Sequence, residues 1–242
     1  MRSLLYYTGL CHDREAIATD EAEKRSYATL LEVLTPIVKG YITDRAFDVC
    51  NHGVQIYGGY GFIEEFPVSQ LLRDSRIFML YEGTNGIQSM DLVGRKLGMD
   101  KGKPFIHFLA QIEKTLAAAK QEPGLSPLTE TMERFLASYA EVAHEISKRA
   151  AAGKVMEVFA FSHPFLEVTG DLTMAWMLLW RATVACPKLG KTKTNDGFYQ
   201  GQVRTARFFI NNILPVTTGR LNAIKQGDAV AAEMEDAWFG GK

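Results

Sequence analysis

Apolar side chains recur at helical spacing along nearly the whole chain, and no stretch keeps strand-like alternation. Within 43–57, Phe47, Cys50, Val54 and Tyr57 are separated by three, four and three residues, which predicts an amphipathic helix. The same spacing predicts further helices over 20–41, from about 85 to 97, and over 105–121, 127–152, 154–185 and 196–226. The pattern therefore predicts an all-α fold.

Glycine and proline mark the breaks between these helices. Thr35-Pro36 predicts a kink or a new helix start, Gly58-Gly59 ends the helix over 43–57 in the manner of a glycine cap, and Pro67 opens the next helix. The apolar residues that we expect to face inward after these breaks are Leu71, Leu72, Ile77, Ile87, Met90, Val93 and Leu97.

The composition changes between Gly98 and Pro104, where Gly, Lys and Pro replace the apolar repeat. We interpret this segment as the joint between two helical units, 1–98 and 104–242. The predicted architecture is an up-and-down helical bundle followed by a second helical domain. The first helix, within 1–17, begins without a capping residue, and we interpret it as the truncated end of a longer helix.

Composition and charge exclude several classes of function. A net charge of −1 gives no electrostatic basis for binding nucleic acid or an anionic membrane. The most apolar tract, Leu172–Trp180, is far shorter than the about 20 residues of a membrane span. The three cysteines are scattered and odd in number, which favours a reducing compartment and predicts a cytoplasmic protein.

The tetrapeptide Tyr81-Glu82-Gly83-Thr84 sets one carboxylate between a predicted helix end and a Gly-Thr pair that can open the next helix. An apolar, closed pocket makes a carboxylate a stronger base, and Met79, Leu80 and Tyr81 supply apolar neighbours. A carboxylate at a helix entry or on the surface is the alternative interpretation of this residue alone. The glycine-paired turn at 55–61 likewise allows two interpretations, a chain reversal or a ligand contact.

Taken together, the turn Gln55-Ile56-Tyr57-Gly58-Gly59-Tyr60-Gly61, the pair Arg73-Asp74 and the tetrapeptide around Glu82 resemble the C-terminal helical domain of the acyl-CoA dehydrogenases. These flavin enzymes desaturate acyl-CoA thioesters. The resemblance implies that Glu82 removes the α-proton and that Gly83 contacts the acyl-CoA. It also implies contacts of Thr84, Asn85 and Gly86 with the subunit's own FAD, through the backbone at Gly86. Contacts with the FAD of a neighbouring subunit are implied for Gln55, Ile56, Tyr57, Gly58 and Gly59.

The resemblance covers residues 1–98 closely, whereas 104–242 resemble the additional helical domain of a longer subgroup that includes 3-methylmercaptopropionyl-CoA dehydrogenase. It implies an acyl-CoA substrate, electron-transferring flavoprotein or a similar acceptor as partner, and a homo-oligomer. The N-terminal helical domain and the β-domain of that family are absent from these 242 residues. We therefore expect the chain alone neither to retain FAD nor to desaturate acyl-CoA. The alternative is a non-catalytic binding or assembly module that keeps the helical bundle.

Overall fold

A computed structural model describes residues 1–191, 194–228 and 230–240, and every regular element within these ranges is helical, as the sequence predicts. The α-helices are α1 (Arg2–Ile17), α2 (Glu21–Pro36), α3 (Ile42–Tyr57), α4 (Gly59–Phe62), α5 (Val68–Ile77), α6 (Asn85–Asp91), α7 (Lys103–Ala119), α8 (Ser126–Ala151), α9 (Val155–Ala160), α10 (Ser162–Ala185), α11 (Asp196–Phe208), α12 (Leu214–Gln226) and α13 (Val230–Glu233). No helix in the described ranges is long and apolar enough to cross a membrane.

The joint between α2 and α3 is a continuous helical path rather than a break. The helix runs through Pro36 and widens into a π-helical turn, Ile37–Tyr41, before α3 begins. Proline lacks the N–H of a helical bond, and the wider turn lets the helix continue past it. The predicted disturbance at Thr35-Pro36 thus takes the form of a π turn. Two more π turns, Leu92–Lys96 and Phe209–Ile213, follow α6 and α11.

Helix α10 lies at the centre of the core, and most of its side chains are buried. Trp176 on this helix donates a hydrogen bond from Nε1 to Thr115 Oγ1 of α7 at 2.8 Å. Phe165 stacks on Tyr139 of α8, with ring centroids 5.4 Å apart. Buried residues from 1–98 and from 104–242 belong to one continuous hydrophobic cluster. The division into two domains at 98–104 stays a prediction.

The π turn after α2 packs so closely on α10 that two glycines are required. A Cβ atom on Gly40 would lie 2.6 Å from Leu166 Cδ2, and one on Gly170 would lie 2.0 Å from Tyr41 Cδ2. The Tyr41 hydroxyl donates to Asp171 Oδ1 at 2.7 Å. Burial, reinforced by the Asp171 carboxylate, raises the pKa of Tyr41. This contact joins the π turn between α2 and α3 to the central helix α10.

Helix α5 corrects part of the predicted core. Leu71 and Ile77 were expected to face inward, as was Ile87 on α6, but all three are more than half exposed. Val68, Ser69 and Ser75 are the residues that α5 buries. Helix α5 packs mainly against α3, so most of its circumference meets no other described element. Helical spacing identifies residues on one face, but the neighbouring elements determine which face is covered.

Candidate functional site

The segment between α5 and α6 is a tight turn with an unusual backbone. Glu82 and Gly83 both have left-handed conformations, with φ values of 55° and 83°. Thr84 caps α6 by accepting a hydrogen bond at Oγ1 from the Ile87 N–H at 3.2 Å. A left-handed conformation costs a non-glycine residue about 1–3 kcal/mol, and such residues cluster at functional sites. Asp100 and Lys101 also have positive φ, but the Asp100 carboxylate is paired with Lys103, so Glu82 combines this backbone with an acid that is unpaired among the described residues.

Glu82 is exposed, and its carboxylate makes no hydrogen bond or ion pair with the described residues. Of the predicted apolar neighbours, Leu80 and Tyr81 precede Glu82 in the turn, and Phe78 packs on Tyr81 with ring centroids 6.3 Å apart. All three of these side chains are more than 40% exposed, so they form an apolar edge rather than a closed pocket. The described residues thus present the carboxylate on an open surface.

The side chain of Asn85, unlike that of Glu82, is buried. Asn85 was expected to contact FAD, but its side chain is 6% exposed and points into the protein. Its amide bonds to groups on the π turn and on α3, and its backbone N–H donates to Met79 O at 3.1 Å. A side-chain contact with a ligand does not fit this arrangement, because both ends of the amide already have partners inside the protein.

Gly86, for which the sequence analysis predicted a backbone contact with FAD, has an open backbone donor. Gly86 is exposed, and its backbone N–H donates to no acceptor in the described part of the chain. The N–H groups of Asn85, Ile87 and Gln88 are used by Met79, Thr84 Oγ1 and the Thr84 carbonyl. Gly86 is therefore the residue at the start of α6 whose donor is open to a ligand.

The glycine-paired turn between α3 and α4 also presents open backbone. Gly58 adopts φ 61° and ψ −139°, a conformation that essentially only glycine tolerates. The N–H groups of Gly59 and Tyr60 have no acceptor among the described residues. Tyr60 packs on Phe66 with ring centroids 5.1 Å apart, and Ile56 is 82% exposed. Gln55, Tyr57 and Gly59 are exposed with it, so the turn offers two donors beside an apolar surface.

The structure separates the two candidate segments instead of joining them. Helices α3 and α5 run antiparallel, since Gly53 meets Val68 at one end and Arg76 lies over the Phe47 ring at 5.5 Å nearer the other. The glycine turn lies at the first end, and Glu82 follows the second. The ten residues of α5 correspond to about 15 Å of helix. The two segments therefore do not line a common pocket within one chain.

One cleft lies elsewhere, between α2 and α7, and has a volume of about 760 Å³. Ser26 Oγ and His107 Nε2 lie 3.2 Å apart in its wall, and burial lowers the pKa of His107. A second cleft of about 540 Å³ includes Gln88, the side chain next to Gly83. The sequence analysis did not predict either cleft, because no motif marks their walls. The described residues contain no cluster of three or more His, Cys, Asp or Glu suited to a metal ion.

Two protein-family models match the chain. The model described as "Acyl-CoA dehydrogenase, C-terminal domain" matches residues 10–97, and that described as "Acetyl-CoA dehydrogenase C-terminal like" matches residues 108–235. The first match contains the glycine turn, the Glu82 turn and α6. The second covers more than half of the chain.

Curated relatives match almost the full length of the chain. A butyryl-CoA dehydrogenase of Syntrophomonas wolfei is 34% identical over 98% of the chain and 39% of the relative. The 3-methylmercaptopropionyl-CoA dehydrogenase of Ruegeria pomeroyi is 36% identical over 88% of the chain and 36% of the relative. The chain thus spans less than two fifths of the length of these relatives. A crystal structure of an acyl-CoA dehydrogenase complexed with FAD, from Bacillus anthracis, is similar in fold, with a TM-score of 0.59 and 22% identity over 92% of the chain and 38% of that structure.

Proposed function

Because the chain belongs to the acyl-CoA dehydrogenase family, we propose that Glu82 is the catalytic base for α,β-desaturation of an acyl-CoA thioester in the complete protein. The observation that carries the proposal is the left-handed Glu82–Gly83 turn. It holds a carboxylate without internal partners at an apolar edge. A strained backbone that presents an unpartnered acid is typical of a functional residue rather than a structural one.

The chemistry requires one base on the α side of the thioester. A carboxylate oxygen of Glu82 takes the α-proton, and the electron pair of that C–H bond becomes the second bond between Cα and Cβ. Thr84 and Gly86 would hold FAD, which would supply the acceptor for the hydride that leaves the β-carbon. Gly83, which lacks a side chain beside the carboxylate, is the proposed acyl-CoA contact. The exposure of Glu82 means that other protein must enclose the carboxylate before it can act as an effective base.

The proposed FAD contacts fall into two groups. Thr84 and Gly86 at the start of α6 serve the subunit's own cofactor, and the free Gly86 N–H supports a backbone contact there. Gln55, Ile56, Tyr57, Gly58 and Gly59 serve the cofactor of a neighbouring subunit. The open N–H groups of Gly59 and Tyr60 suit an anionic pyrophosphate. Asn85 is left out of this set because its side chain is buried and hydrogen-bonded inside the protein.

The separation of these groups supports a homo-oligomer. Two sets of cofactor contacts at opposite ends of the α3–α5 pair serve one cofactor only if another subunit supplies the second set. We further propose electron-transferring flavoprotein or a similar protein as the electron acceptor. The three cysteines are free thiols, which supports a cytoplasmic location.

The oligomer is tested by a charge placed at the glycine turn. We expect the 242-residue chain to self-associate in sedimentation velocity, because the apolar surface around Ile56 is exposed. Ile56→Glu should shift the chain toward monomer. Ile17→Glu, which changes another exposed isoleucine at the end of α1, should leave the distribution unchanged. A strict monomer at high concentration of the unmodified chain would contradict the proposal.

The second candidate function is a non-catalytic helical module. The open surface around Glu82 favours it, since an exposed carboxylate in water is a weak base for a thioester α-proton.

Flavin bleaching separates the two functions. The complete protein should purify with bound FAD, and anaerobic addition of saturated acyl-CoA thioesters should bleach the flavin absorbance, whereas the 242-residue chain alone should do neither. A complete protein that binds FAD and is not bleached by any thioester from short to long chains would favour the non-catalytic module.

A further inference from the structure

The position of the Glu82 carboxylate depends on the backbone of its turn, because the side chain has no partner among the described residues. A strained turn persists only when its surroundings hold it in place. We infer that Asn85 is the positioning residue that fixes the Glu82–Gly83 turn and hence the carboxylate. This inference rests on the proposed function, in which Glu82 is the base.

The Asn85 amide bonds to several groups on the π turn and at the start of α3. Its Oδ1 accepts from Lys39 Nζ at 3.0 Å. Its Nδ2 donates to Asp44 Oδ1 at 2.7 Å and to the Gly40 carbonyl at 3.0 Å. Thr43 Oγ1 lies 2.9 Å from Nδ2 and 3.2 Å from Oδ1. The first residue of α6 is thereby attached to a segment more than 40 positions earlier in the chain.

A neutral amide is the group that this environment requires. It accepts from the Lys39 ammonium at one end while it donates to the Asp44 carboxylate at the other. An aspartate at this position would lose both N–H donors and would oppose the Asp44 carboxylate. An alanine would remove the donor to Asp44 Oδ1 in a buried site and one of the donors to the Gly40 carbonyl, which also accepts from Thr43 Oγ1.

The attachment acts directly on the turn. The Asn85 backbone N–H donates to Met79 O at 3.1 Å, which closes the segment between residues 79 and 85. Gly83 lies against the first turn of α6, where a Cβ on it would come 2.9 Å from Gln88 Nε2. A shift of Asn85 therefore moves both the closing bond and the surface on which Gly83 rests. Glu82 lies between these two restraints.

The test compares two variants of α6 in the 242-residue chain. Asn85→Ala removes the amide, and Ser89→Ala, the control, removes the buried hydroxyl that donates to the Gly86 carbonyl and lies 3.2 Å from Ser162 Oγ. Left-handed residues give strong NOEs between the amide proton and their own α-proton. We expect Asn85→Ala to abolish this signal at Glu82 and to speed amide exchange of residues 80–84, and Ser89→Ala to leave both unchanged. A Glu82 signal that survives Asn85→Ala would overturn the inference.

A milder variant keeps the test decisive if Asn85→Ala does not fold. Thr43→Val removes a hydroxyl that contacts both ends of the amide while keeping the shape of the side chain. It should weaken the Glu82 signal in the same direction; an unchanged signal in this variant would also overturn the inference.

The complete enzyme supplies the second measurement. Asn85→Ala should slow flavin reduction about 10-fold, as expected for a group that orients a reacting residue, with FAD content and KM little changed. Equal rates for Asn85→Ala and the unmodified enzyme would refute the positioning role. If Glu82→Gln leaves flavin reduction intact, the proposed function fails, while the NOE comparison still decides whether Asn85 holds the turn.

Discussion

Gly170→Ala should destabilise the protein by about 3 kcal/mol, at the upper end of the usual cost of overpacking a core. The new methyl group would lie 2.0–2.6 Å from three atoms of the Tyr41 ring. Tyr41 cannot move aside easily, because its ring is buried and its hydroxyl donates to Asp171. The Asp171 carboxylate also accepts from Thr217 Oγ1 at 2.7 Å, so a displaced ring would disturb α12 as well. Urea unfolding followed by circular dichroism measures the loss.

Two controls separate this clash from the general effect of adding a methyl group to a helix. Gly219 lies inside α12 with open space where a Cβ would be, so Gly219→Ala should stabilise the protein by about 0.4–1 kcal/mol. In a Tyr41→Ala background the clash is absent, and Gly170→Ala should then cost less than about 1 kcal/mol. An equal cost of Gly170→Ala in both backgrounds would show that the Tyr41 ring is not its cause.

The sequence predicted the positions of the helices better than the contacts between them or the faces that are covered. The helix over 43–57 was placed to within one residue, because an apolar repeat and a terminal glycine pair mark its extent. The close contact of Gly170 with Tyr41 could not be predicted, since the two residues are 129 positions apart and neither has a local signal. Leu71 and Ile77 were assigned to the core because spacing cannot tell a covered face from an open one.

The candidate site likewise combines a residue that a local motif predicted with contacts that only the folded structure shows. Glu82 was predicted from a local motif, and the structure adds its left-handed backbone and its carboxylate without a partner among the described residues. Asn85 follows it by three residues in the motif and was therefore grouped with the cofactor contacts. Its role depends on Lys39 and Asp44, which come together with it only in the folded protein. A motif identifies residues that belong to one function, but the fold decides which of them face a ligand.

Glu82→Gln in the complete protein should reduce the rate of flavin reduction by acyl-CoA at least about 10²-fold, the loss typical of removing a general base. Glutamine keeps the length and shape of the side chain but cannot accept the α-proton. FAD binding should survive, because the Glu82 side chain is absent from the proposed FAD contacts, which use the backbone of Gly86 and the glycine turn of another subunit. Anaerobic stopped-flow absorbance measures the rate, and the flavin-to-protein absorbance ratio measures binding.

Glu65→Gln is the matched control, since Glu65 is an exposed carboxylate between α4 and α5 that takes no part in either candidate segment. It should reduce flavin at the unmodified rate. Near-normal bleaching in Glu82→Gln would assign the base to another group, and loss of FAD from that variant would assign Glu82 a structural role. Suppose that Glu82→Gln retains FAD but is no longer bleached, while Glu65→Gln is bleached normally. Only a base at Glu82 explains this combination.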